Sequence, residues 1–119
     1  MPVDRIIEIR IEPYTVDSLT RHVVTVRDRN QIALIADQLR SASRVSPNHP
    51  QARWVAILRI VTDGREYGGQ VESTSNQGVL VWYASQVEGG WNYGTYQQDS
   101  LGPVLEKIVS DSAIAQTPK

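Results

Sequence analysis

The stretch RWVAILRIVTDGREYGGQVE, residues Arg53 to Glu72, decides the fold. Two runs of strand-forming residues flank Asp63-Gly64, the dipeptide that most strongly favours a two-residue hairpin turn. Such a turn fixes the register: Thr62 faces Arg65, Ile60 faces Tyr67, Leu58 faces Gly69 and Ala56 faces Val71. Trp54, Ala56, Leu58 and Ile60 then share a core-facing side with Tyr67 and Val71. The opposite side carries Val55, Ile57, Arg59 and Val61, with Glu66, Gln70 and Glu72 across from them.

Working outward from this hairpin, Asp4 to Glu12 alternates, with Ile7, Ile9 and Ile11 on one side and Glu8 and Arg10 on the other. Period two with isoleucine predicts a strand, which Pro13 ends. Arg21 to Arg27 reads as a second strand. From Asp28 the spacing changes: Ile32, Ile35, Ala36, Leu39 and Ala42 recur at three and four, which predicts one helical stripe. Asp28 with Gln31 fits a capping box, and Asn30 is a second candidate cap. Residues 45–52 hold Ser46-Pro47-Asn48-His49-Pro50, a loop restrained by two prolines.

After the hairpin, Ser73 to Gly78 is a polar turn and Val79 to Ala84 an apolar run. Gln86 to Gly90 turns again towards a last strand, Trp91 to Tyr96. Asp99 or Ser100 is placed to cap a final helix with the stripe Leu101, Val104 or Leu105, and Ile108, and Pro103 suits its first turn. The expected order is β-β-α-β-β-β-β-α: an α+β domain, an antiparallel sheet with two helices packed on it in two layers. The expected domain covers residues 1–111, and residues 112–119 are expected to form a frayed tail.

The 119 residues carry 12 basic and 13 acidic groups, for a net charge of −1. Hydrophobic residues make up 40% and charged residues 21%, values of an ordinary globular domain large enough for one core. No apolar run approaches a membrane span or a signal peptide, so a soluble, cytoplasmic protein is expected. Cysteine is absent, which removes disulfides and thiolate chemistry. Phenylalanine is absent too, so all eight aromatic residues are Trp or Tyr, and seven of them fall between Trp54 and Tyr96. All ten arginines lie at or before Arg65, giving residues 1–65 a net charge of +3 and residues 66–119 a net charge of −4.

Catalytic patterns are thin. The two histidines, His22 and His49, lack metal-ligand spacing, and no zinc-protease, calcium-loop or serine-elbow motif is present. Glu66 and Glu72 lie on the same side of one strand but roughly 20 Å apart, too far to flank one bond. The glycines Gly89, Gly90 and Gly94 precede aromatic, strand-like residues, not a helix N-terminus, and so form no phosphate loop. Neither a metal nor a cofactor is expected. Nucleic acid is disfavoured, because the aromatics lie in the acidic half and the net charge attracts phosphate weakly.

If both helices cover one side of the sheet, the other side is left bare, and either Val79, Val81 and Tyr83 or Leu80 and Trp82 face outward. An apolar patch with a polar rim marks an interface, and Trp, Tyr and Arg dominate binding hot spots. The expectation is therefore a non-catalytic protein-interaction module of the regulatory, inhibitor or immunity type found among small bacterial domains. Trp82, Trp91 and Tyr93 are the expected anchors, with Arg59, Glu66 and Glu72 at the rim setting partner choice. The partner is another protein or a second copy in a homodimer. The alternative is a small-ligand-binding protein or minor hydrolase with a pocket near His49.

Overall fold

The hairpin forms in the expected register. In the computed structural model, which describes residues 5–83 and 95–116, strand β4 (Ala52–Thr62) pairs antiparallel with β5 (Arg65–Thr74), and Gly64 turns the chain at φ +76°. Thr62, Ile60, Leu58 and Ala56 face Arg65, Tyr67, Gly69 and Val71. A seven-stranded antiparallel sheet is built out from this pair. On one flank lie β1 (Ile6–Glu12) and then β2 (Val24–Val26). On the other lie β6 (Val79–Tyr83), β7 (Thr95–Gln97) and a two-residue edge strand, β3 (Ser43–Arg44). The spatial order is β2-β1-β4-β5-β6-β7-β3. With helices α1 (Arg29–Arg40) and α2 (Leu101–Gln116), this is an α+β fold.

Both helices lie on one side of the sheet. Ile32, Ile35, Ala36 and Leu39 of α1 and Leu101, Leu105 and Ile108 of α2 form one core with Ile9, Ile11, Val24, Val26, Ala56, Leu58, Ile60, Val71, Val79 and Val81. Each fully buried Leu or Ile of this set contributes roughly 1.5–3 kcal/mol. Asp28 is the residue that caps α1, its carboxylate accepting the Gln31 N–H at 2.9 Å. Ser41 closes the helix, its N–H donating to the Asp37 carbonyl at 3.1 Å. Ala42 therefore falls outside the helical stripe.

Three local features depart from the sequence reading. Ile7 is 53% exposed and Ile6 is buried in its place, because β1 bulges between Ile6 and Glu8 and the alternation slips by one residue. Ser43–Arg44 forms the edge strand β3 against β7, in a segment too short to show any periodicity. Helix α2 continues to Gln116 where a frayed tail was expected from Ser112, since Ala113, Ala115 and Gln116 favour helix. The strand expected at Trp91 to Tyr96 is represented by Thr95–Gln97, and its earlier part lies outside the described residues. Among the described residues no helix is long and apolar enough to cross a membrane.

Candidate functional site

Alternation along the strands fixes what the helix-free side of the sheet presents. Because Val71, Val79 and Val81 belong to the core, Gln70 and Glu72 of β5 and Leu80 and Trp82 of β6 face the other way. Of the two alternatives for β6, Val79 and Val81 face the helices, while Leu80 and Trp82 point away from them, Leu80 itself being buried. Glu8, Arg10 and Glu12 of β1, Val55, Ile57, Arg59 and Val61 of β4, and Glu66 and Gly68 of β5 complete this outer face. Arg59, Glu66, Glu72 and Trp82 are therefore brought to one surface. Trp91 and Tyr93 lie outside the described residues.

One half of the outer face is ionic. Arg59 forks onto Glu12, with Nε and Nη2 donating to the two carboxylate oxygens at 3.1 Å each, and its Nη1 lies 3.8 Å from Glu66. Arg10 joins Glu8 at 2.6 Å and Glu66 at 3.4 Å, and Arg27 reaches Glu8 at 3.2 Å. Three arginines thus share three carboxylates across β1, β4, β5 and the residue that follows β2. The hydrogen bond to Glu12 raises the pKa of Arg59, and that to Glu8 raises the pKa of Arg10. The hydrogen bond from Arg10, followed by that from Arg27, holds the Glu8 carboxyl below its ordinary value against the opposing effect of burial. Glu8, Arg10, Glu12 and Arg27 are members of this network that sequence reasoning did not single out. Alternation in β1 put the first two on one side, but nothing local shows that β1 lies beside β4.

The other half is apolar. Val55 and Leu80 are buried, although neither belongs to the core under the helices. Ile57 and Trp82 are half-buried. Gln70 sits in register between Ile57 and Trp82, and Glu72 between Val55 and Leu80. Between the two halves, Gly68 faces Arg59, and a Cβ placed on it would meet nothing within 4 Å, so the floor there is open. Burial raises the Glu72 carboxyl above its ordinary pKa.

The proline-restrained loop presents a different picture. His49 is exposed at φ +52°, in the left-handed region. The loop is tied to the β5–β6 turn by side-chain amides: Asn48 N–H donates to Gln77 Oε1 at 2.9 Å, Gln77 Nε2 to the Asn48 carbonyl at 2.5 Å, and Gln51 N–H to Asn76 Oδ1 at 3.0 Å. Among the described residues no hydrogen bond joins the His49 ring to a carboxylate or hydroxyl, and no group of three metal-ligating side chains is present. His22, exposed, lies just outside β2.

Comparison of the chain with family models, curated proteins and solved structures finds no match.

Proposed function

We propose that this chain is a protein-interaction module, of regulatory, inhibitor or immunity type, that docks a protein on the outer face of its sheet and carries out no chemistry there. One observation carries the reading: both helices pack on the same side of the sheet, and the opposite side sets half-buried Ile57 and Trp82 beside an ordered ionic network. An aromatic anchor with an arginine-rich rim is the composition of interface hot spots. The arginine–glutamate network is saturated from within. Its Arg59–Glu12 fork is already formed, so a partner meets a rim whose charges are paired before docking.

The reading is tested by comparing capture of a co-purifying protein by the wild-type chain, by Ile57→Glu and by Leu34→Glu. Leu34 is exposed on α1, away from the proposed surface. The expected result is stoichiometric capture by wild type and Leu34→Glu, and a loss of at least about tenfold with Ile57→Glu, as for a buried hot-spot residue. Equal capture by the two variants contradicts the reading. The solution mass identifies a second copy as the partner if it doubles in wild type and not in Ile57→Glu.

A further inference from the structure

We infer that the open edge of β2 takes up an extended acidic segment of another protein, which joins the seven-stranded sheet as a further strand with a carboxylate beside Arg27. The edge is a second surface, with β1 between it and β4, and the inference stands apart from the docking function proposed above. β2 is the terminal strand of the sheet and pairs with β1 alone. Among the described residues no backbone hydrogen bond reaches Val24–Val26 from the other side. A row of unpaired N–H and C=O groups of this kind is a template for an incoming strand. The opposite end of the sheet offers less: β3 has two residues and runs into the loop that holds Pro47 and Pro50.

Val24 and Val26 are buried in the core, so β2 is ordered before a partner arrives. Thr25 lies opposite Arg10 and therefore points to the helix-free side, and alternation puts Val23 and Arg27 on that side with it. All three are exposed, Val23 at 49%. Arg27 reaches Glu8 at 3.2 Å, yet its side chain is 74% exposed. Residues 19–27 include Arg21, His22 and Arg27 and no acidic residue, and all three of these side chains are exposed. The edge thus sets unpaired backbone groups within a basic rim, and charge decides the occupant. A second copy of β2 would lay Arg21, His22 and Arg27 along the same cations, like charge against like, which guards the edge against self-pairing. A strand bearing carboxylates meets the opposite situation. In antiparallel pairing, the more stable arrangement per residue, its acid opposite Arg27 is followed two and four residues on by side chains opposite Thr25 and Val23, where β-branched residues pack well.

The experiment is a titration of the isotope-labelled chain, followed by amide resonances, with acetyl-Glu-Val-Thr-Val-Val-Glu-Glu-amide and with the same peptide carrying lysine for each glutamate. Two further acidic peptides bear N-methyl groups on the second and fourth residues or on the third and fifth, and only one of these sets faces β2 in a paired strand. Expected are shifts centred on Val23, Val24, Thr25, Val26 and Arg27, with the acidic peptide binding about tenfold more tightly than the basic one at low salt. One methylated peptide is expected to lose binding and the other to keep it. Arg21→Glu, whose spectrum reports an intact fold, is expected to narrow the preference for the acidic peptide, and Ile57→Glu to bind as wild type does. Equal binding of the acidic and basic peptides, equal effects of the two methylations, or a preference unchanged by Arg21→Glu overturns the inference. So does a loss of binding in Ile57→Glu, which would put the peptide on the outer face, or an absence of shifts at β2 at millimolar concentration. In each of these cases the capture comparison above still decides the docking surface independently.

Discussion

Ile7 and Glu72 show what single residues contribute and why they differ in legibility. The alternation of Ile7, Ile9 and Ile11 was plain, yet the bulge at Ile6/Glu8 exchanged Ile6 for Ile7 in the core. A bulge is settled by pairing with β4, which the local pattern does not contain. Glu72 was legible as an outward carboxylate from the hairpin register alone. Its lack of a partner was not, since that depends on which strands bring arginines nearby. Glu8 and Glu72 should respond oppositely to pH. The Glu8 carboxyl is held below its ordinary value of 4.5, so its contribution is complete above that pH and lost as the pH falls through the lower, folded value. Glu72 is displaced upward, so the stability it favours is complete below 4.5 and lost as the pH rises through the higher, folded value. Chemical denaturation is expected to show Glu8→Gln less stable than wild type at pH 7, with the difference narrowing as the pH falls below 4.5. Glu72→Gln is expected to match or exceed wild type at pH 7, by no more than about 0.5 kcal/mol.

At the scale of elements, the turns were the most legible parts. Asp63-Gly64 predicted both a hairpin and its register, because two turn residues leave one way to pair the flanking strands. The α1 stripe and its Asp28 cap were equally local and equally legible. The turn before β6 was less so. Gly78, at φ +72°, sits where a Cβ would collide with Asp99 Oδ1 and lie 2.7 Å from Gln97 Nε2. The same Asp99 oxygen accepts the Val79 N–H at 3.1 Å, tying the start of β6 to the approach to α2. These contacts join residues some twenty positions apart, and no local pattern announces them. Gly64→Ala is strained by its backbone angle alone and is expected to cost about 1 kcal/mol. Gly78→Ala adds the collision and is expected to cost about 2 to 3 kcal/mol. Urea unfolding of the two variants checks the difference; equal losses would show that Asp99 gives way freely.

At the scale of the whole molecule, the fold class followed from element order, while the arrangement that creates the outer face did not. The sequence order places β1 and β2 first, yet they join the sheet beside β4, and β3 crosses to the far edge beyond β7. That topology gathers Arg10, Arg27 and Arg59 with Glu8, Glu12 and Glu66 into one network, from segments as far apart as residues 8 and 66. The side chosen by the helices then decides which apolar residues remain outside the core. Both stripes were visible in the sequence, and the hairpin showed which side of β4 is apolar throughout. That both helices take this side is a consequence of packing, and it leaves Ile57, Trp82 and Glu72 on the other. The most direct test of a docking role for that surface is site-specific photocrosslinking inside the source cell, with a photoreactive residue at Gln70 or, as a control, at Leu34. A discrete protein adduct from Gln70 and none from Leu34 is the predicted result, its mass distinguishing a second copy of the chain from another protein. An adduct from Leu34 alone, or none from either position, would contradict it.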